Sequence, residues 1–217
     1  MLCIMYQQHT RRFDNNQQFD AAEFLSSLVE HLFKNNENIM TSLFGKVQST
    51  IFCTNANCNR ADQIPSNEVN IVVLQLNGPS LELCLEEYFE PEDIERNCPH
   101  CENNMASQAT AFSEDPQTII FQLSRFRYSS KLGRTIKRHD EISIPLNINL
   151  PNGPEYKLVG TINHYGESAD SGHYTCMLYH SNSGKFVLCD DNQITYNIKS
   201  IDEKISHNVY LIVYEQI

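Results

Sequence analysis

Basic residues are scarce in this sequence. Sixteen lysines and arginines face 27 aspartates and glutamates, a formal net charge of -11 over 217 residues. That balance argues against nucleic acid and anionic membrane as partners, and it permits a partner with a basic face. Long apolar runs are missing too. No stretch approaches the length of a membrane span, and the opening MLCIMY is too short for the apolar region of a signal peptide, so cytoplasm or nucleus is the expected compartment. There is no internal repeat and no low-complexity tract. What the chain does have is apolar substance, 41% hydrophobic residues, enough to build a core in one large domain or two small ones.

The apolar spacing changes once along the chain. Residues 14–34, DNNQQFDAAEFLSSLVEHLFK, read as a helix, with Asp14, Asn15 and Asn16 offering cap oxygens and Ala21, Leu25, Leu28 and Leu32 at helical spacing. From Val47 onward the pattern is that of strands: KVQSTIFC, EVNIVVLQL, SQATAF, QTIIFQLSRFRY, EISIPL, YKLVGTINHYG, GHYTCMLYH, KFVLCDD and NVYLIVYE. A short helix interrupts them in GPSLELCLEEYFEPED, with Ser80 as its cap and Pro91 after its end. The expected class is α+β, a helix followed by a long antiparallel sheet with a cysteine-bearing excursion.

Without a secretory signal, eight cysteines point to metal ligation or reduced thiols rather than disulfides. Four form close pairs, Cys53 and Cys58 in FCTNANCNR and Cys98 and Cys101 in NCPHCENN. Two short loops that present thiolates from strand ends are how a zinc ribbon assembles a tetrahedral four-cysteine site, so one structural zinc is expected. His100 sits inside the second pair but is not needed as a ligand, and Asn59, Arg60 and Asn97 beside the pairs could tune the thiolates. Cys84, Cys176 and Cys189 fall at apolar helix or strand positions and read as core.

Among the eight histidines, His164 in NHYG and His173 in GHYT stand apart, because each lies beside glycine and tyrosine around the loop GESADSG. The others, including His9, His31, His139, His180 and His207, read as residues with no role in chemistry. If residues 181–184 make a hairpin turn, the returning strand brings Asp190 and Asp191 almost opposite Gly172 and His173. A histidine held by a carboxylate is two thirds of a nucleophilic triad, since the carboxylate fixes the imidazole's tautomer and steadies its cation. Register alone does not separate the two aspartates. Glycine beside the histidine is expected to let a substrate backbone pass close.

Together these segments resemble the ubiquitin-specific proteases. QFDAAEFLSSLVEHLF resembles that family's Gln-x-Asp-Ala-x-Glu-Phe helix, IIFQLSRFRY its Leu-x-Arg-Phe strand, and NHYGESADSGHYTCMLYH with KFVLCDDNQIT its histidine box, while the cysteine pairs match the zinc ribbon of its fingers. The resemblance covers about residues 17 to 215. It implies a papain-like cysteine protease fold, with zinc-ribbon fingers at about 45–112 and a palm at about 113–217. It also implies hydrolysis of the bond after ubiquitin's C-terminal glycine, with ubiquitin or a ubiquitinated protein as partner. By resemblance His173 is the general base and Asp190 its orienting acid, with Asp191 the second candidate. Asp20 and Glu23 face ubiquitin's basic tail, and Tyr174 lines the tail channel.

The family's cysteine box, a Gly-Asn-Thr-Cys-Tyr-like stretch, does not match anything in this sequence. Cys3, in MLCIMY, has none of the expected neighbours and is a poor candidate nucleophile. The sequence therefore carries two expectations. One is part of a deubiquitinating enzyme, N-terminally shortened, with most of the thumb missing and no activity alone. The other is an inactive ubiquitin-binding or scaffolding remnant of the same fold.

Overall fold

The structure, a computed structural model, describes residues 18–33, 36, 39, 42–168 and 171–217. Helix α1 is Ala21–Phe33, starting where the apolar spacing starts, with residues 18–20 of the expected span outside the helix. Its first turn is satisfied by Asp20, whose Oδ1 accepts from the N–H groups of Ala22 at 2.8 Å and Glu23 at 3.0 Å. A residue in that role leaves helical backbone angles, so the cap fixes where the helix begins. The expected caps Asp14, Asn15 and Asn16 lie outside the described residues.

Next come β1 (Gly45–Cys53), β2 (Ala61–Gln63), β3 (Asn67–Val69) and β4 (Val72–Leu74). Helix α2 (Leu81–Phe89) follows, with the Leu83 N–H donating to Ser80 Oγ at 3.4 Å. Then β5 (Glu92–Glu95), β6 (Met105–Glu114), β7 (Thr118–Leu123), β8 (Phe126–Ser129), β9 (Arg134–Lys137) and β10 (Asn147–Asn149) lead to the long strands β11 (Glu155–Ser168) and β12 (Ser171–His180). Last are β13 (Lys185–Asp190), β14 (Gln193–Ile198), the one-turn helix α3 (Glu203–Ser206) and β15 (Val209–Gln216). The architecture is α+β. Residues 141–146 have the composition of a strand, but they form only one bridge, Ser143 with Ser80, and the pairing with β11 is made just beyond them by β10.

Two sheets divide the work. A small antiparallel sheet runs β2-β1-β6-β5, with β3 also on β1, and an eight-stranded sheet runs β14-β13-β12-β11-β15-β7-β4, with β10 on β11. The β8–β9 ribbon stands apart. β4 and α2 precede residue 112 in the chain, yet they pack with the large sheet: Leu74, Leu81, Cys84 and Leu85 join Phe121, Leu158, Ile212 and Tyr214 in the main core. A smaller cluster, Ala22, Tyr210 and Leu211, seats α1. It depends on a bulge, because the β11–β15 register jumps from Ile162↔Leu211 to Asn163↔Val209 and leaves Tyr210 as the extra residue. A bulge breaks the strict alternation of faces, so neighbours Tyr210 and Leu211 both pack beneath α1.

Fully buried Arg125, between β7 and β8, ties the ends of this sheet together. Its guanidinium donates to four backbone carbonyls: those of Arg138 at 3.1 Å, Asp140 at 2.9 Å and Ser206 at 2.9 Å, and that of Val209. Burial pulls its pKa down to about 10, which still leaves it charged at neutral pH.

Candidate active site and metal centre

The hairpin β12–β13 turns at residues 181–184 and pairs Tyr179↔Phe186 through Cys176↔Cys189. The paired register ends there; continued one step, it sets Asp190 across from Thr175 rather than Gly172 or His173. His173 and Thr175 share a face of the strand, which makes His173 and Asp190 diagonal neighbours, within reach of long side chains. They meet: His173 Nε2 and Asp190 Oδ1 are 2.5 Å apart, both side chains about half exposed. A carboxylate can only accept here, so Nε2 carries the hydrogen and Nδ1 is left as the basic atom. Asp191 lies in the two-residue turn to β14 with φ +49. Its carboxylate, that of Asp190 and the His173 ring lie within 4.8 Å of one another.

Gly172 serves a different neighbour from the expected substrate backbone. A Cβ there would stand 2.1 Å from Nε2 of His164, so the space is filled from inside. Its N–H donates to Gln18 Oε1 at 2.7 Å, which ties the strand before His173 to the approach to α1. Sequence reasoning misses Gln18, although it stands at the start of the QFDAAEF motif.

Asp20 is occupied within the chain. Besides capping α1, its Oδ2 accepts from the Tyr210 hydroxyl, which in turn accepts from Gln122 Nε2 at 2.7 Å. Glu23 is exposed on the first turn of α1. Tyr174 turns from His173 towards α1, accepts from the Ala21 N–H at 3.4 Å, and has its pKa pushed up to about 12 by burial and then by Asp20. Asp20, Glu23 and Tyr174 therefore gather at one end of α1, beside the strand that carries His173.

Cys53 and Cys58, from the end of β1 and the loop after it, meet Cys98 and Cys101, from the loop between β5 and β6. The Sγ atoms of Cys53 and Cys101 are 3.5 Å apart and those of Cys58 and Cys98 3.7 Å apart. A tetrahedron of thiolates at about 2.3 Å from a zinc ion has edges of about 3.8 Å, so the four sulfurs fit that ion. The N–H groups of His100 and Cys101 help pull the Cys98 thiol down to about 7. His100 points elsewhere, with its Nε2 2.9 Å from Arg60 Nη1. Asn103 Nδ2 reaches Cys53 Sγ at 3.8 Å. Cys84 is buried in the main core, and Cys176 and Cys189 oppose each other across β12 and β13. Among the described residues no cysteine joins the cluster of His173, Asp190 and Asp191. Cys3 lies outside the described residues.

The family description "Ubiquitin carboxyl-terminal hydrolase" matches residues 1–214. The chain belongs to the ubiquitin carboxyl-terminal hydrolase family. Relatives in that family include Probable ubiquitin carboxyl-terminal hydrolase 8 of Schizosaccharomyces pombe, 26% identical over 79% of this chain and 37% of its own length. Ubiquitin carboxyl-terminal hydrolase 25 of Arabidopsis thaliana is 27% identical over 84% of this chain and 28% of its own length. The chain thus spans well under half the length of these hydrolases. Among solved structures, a SAGA DUB module of Ubp8, Sgf11, Sus1 and Sgf73 bound to monoubiquitin superposes with a TM-score of 0.83 at 20% identity, over 97% of this chain and 51% of that one. The fold is accordingly the papain-like one of the ubiquitin-specific hydrolase catalytic domains, with the four-cysteine ribbon as its fingers.

Proposed function

We propose that this chain supplies the base-and-acid half of a deubiquitinating cysteine protease site, which hydrolyses the peptide or isopeptide bond after ubiquitin's C-terminal glycine. The observation that carries the reading is the His173–Asp190 hydrogen bond, 2.5 Å on the half-exposed rim of β12 and β13. With Nε2–H given to Asp190, His173 Nδ1 is free to take the proton of a thiol placed within about 3 to 4 Å, and Asp190 steadies the imidazolium that results. Asp191 adds negative potential beside the ring.

Ubiquitin is the proposed partner. Support comes from family membership and from a structural neighbour solved with bound monoubiquitin. In this reading Glu23, Tyr174 and the end of α1 flank the tail, while Asp20 holds that end in place. The fingers, at about 45–112 apart from β4 and α2, carry one structural zinc on the thiolates of Cys53, Cys58, Cys98 and Cys101, and the palm takes up about 113–217 together with those two elements. When bound, the ion cross-links two loops of the small sheet.

A second reading, a ubiquitin-binding domain without chemistry, is favoured by one observation: no described cysteine lies in the His173 cluster. A fluorogenic ubiquitin C-terminal substrate separates the two. The assay is run on the 217-residue chain and, if the gene encodes residues ahead of Met1, on that longer product. Thiol-dependent turnover that vanishes in His173→Ala is the result expected of the enzyme. Ubiquitin binding by every form, with turnover by none, overturns it in favour of the binding domain.

A further inference from the structure

The ladder between β11 and β12 loses its regular register beyond Tyr165↔His173 and resumes only at Ser168↔Ser171. The residues that lead into His173 are therefore not held by sheet pairing alone. What holds them is on the inner side. His164, 1% exposed, lies with its ring centroid 5.3 Å from that of Phe126 and 4.8 Å from that of Tyr174. The ring is backed against Gly172, where an added Cβ would fall 2.1 Å from Nε2, and lies beside Gly166 (φ +152), whose Cβ position is 2.7 Å from the Ser171 carbonyl oxygen, 2.9 Å from the Gly172 Cα and 3.3 Å from Cε1 of the ring. Its main chain is held as well: His164 N–H donates to the Asn208 carbonyl at 2.8 Å, and its own carbonyl accepts from Lys137 Nζ.

One polar atom in this arrangement is anomalous. His164 Nδ1 is the buried side-chain nitrogen left without a partner among the described residues. A buried unpaired polar atom costs stability that an apolar side chain would not. The ring's value at this place is therefore its flat shape and fixed seat rather than a hydrogen bond.

We propose that His164 is a positioning residue for the His173–Asp190 pair, acting through Gly172. Its ring is the floor on which the backbone of Gly172 rests, and Gln18 clamps the same residue by its N–H from the other element. With floor and clamp in place, His173 leaves the strand in the one direction from which Nε2 meets Asp190. The importance of this for turnover rests on the base role proposed above for His173. The geometric claim itself does not.

The test reads the His173 ring directly, by nitrogen-15 resonances of the labelled 217-residue chain, without substrate. At a pH where the ring is neutral, the two ring nitrogens of His173 in the native chain are expected to be widely split, as a single tautomer requires. His164→Ala should leave the chain folded and collapse that split towards an average of the two tautomers. Ile148→Ala, buried in the main core, lowers the melting temperature without touching His173, and its split should survive. If His164→Ala fails to fold, His164→Gln keeps much of the volume without the flat ring, and the split should shrink there too. A folded His164 variant with the native split overturns the proposal, as does an equal loss in Ile148→Ala. Loss of ubiquitin cleavage in His173→Ala tests the base role separately, so either idea can fail alone.

Discussion

Tyr210 and Asp20 are hydrogen-bonded across 190 positions of chain, from the bulge of β15 to the cap of α1. The carboxylate that begins the helix is thereby also the one that docks it on the sheet. Asp20→Ala should lose the cap, about 1 kcal/mol, and leave the Tyr210 O–H without its acceptor, while the hydroxyl oxygen keeps its bond from Gln122. Asp20→Asn, which can still cap, should lose less. Urea denaturation of the two variants measures the difference, and equal losses would show that capping is not what Asp20 contributes.

A ubiquitin contact is therefore better probed at Glu23, which is exposed on the same turn. Glu23→Arg is expected to weaken ubiquitin binding several-fold and to cost about 1 kcal/mol of stability, because it puts a cation in place of the acidic group in the first turn of α1. Titration of labelled ubiquitin, beside a melting curve, reads both. Unchanged affinity would remove Glu23 from the tail contact.

Metal removal should act on one sheet. Structural zinc contributes its binding energy to folding, so chelation or Cys98→Ser is expected to speed hydrogen exchange in β1, β2, β5 and β6 while β7, β11 and β15 keep their protection. Elemental analysis should give one zinc per chain. Chain purified without zinc and showing four freely titratable thiols in the ribbon would contradict the assignment.

Arg125 gives its guanidinium hydrogens to carbonyls and, among the described residues, to no carboxylate. Lysine at this position cannot reach all four carbonyls, and unpaired buried groups cost about 1 to 3 kcal/mol each. Arg125→Lys should therefore lose about 3 kcal/mol or more, visible as a lower urea midpoint, and a loss under about 1 kcal/mol would contradict that account.

The pH dependence has a definite sign. Burial, and then the charge of Lys137, lower the pKa of His164 from 6.5 to about 4, with Asp20 opposing. Between these values the unfolded chain binds the proton and the folded chain does not. Stability is thus complete above pH 6.5 and falls towards pH 4, by up to about 3 kcal/mol from this residue. The slope of unfolding free energy against pH, native minus His164→Gln, isolates it from the carboxylates that titrate in the same range. An unchanged slope would mean His164 is protonated in the fold.

Short-range patterns are the most legible in the sequence. Cysteine spacing marks two tight loops, and the loops meet because β1 and β6 are partners that run side by side up to Cys53 and Ala106. The β12–β13 hairpin can be read from its turn, and a strict count from His180↔Lys185 sets Asp190 across from Thr175, two residues from His173. The diagonal contact that restores the pairing is not visible in a linear count. Asp14, Asn15 and Asn16 offer the same cap chemistry as Asp20, so side-chain type alone does not choose the cap. The roles of Gly172 and Gln18 depend on His164 and α1 arriving from elsewhere in the chain, so no local pattern announces them. Residues 141–146 have strand composition but bridge to a neighbour only at Ser143.

The bulge at Tyr210 makes this stretch more sensitive to length than to identity. Any single-residue deletion among residues 209–211 would remove the bulge at Tyr210 and leave the β11–β15 ladder with its other register shift, between Leu158 and Gly160. The repair would be local, but the phase of the strand on one side of it would be inverted. Tyr210 could no longer reach Asp20 while Ile212 and Tyr214 stayed in the main core, and α1 would lose its mooring. Point substitutions here should degrade the protein by steps, whereas a one-codon deletion should uncouple α1 from the sheet at once.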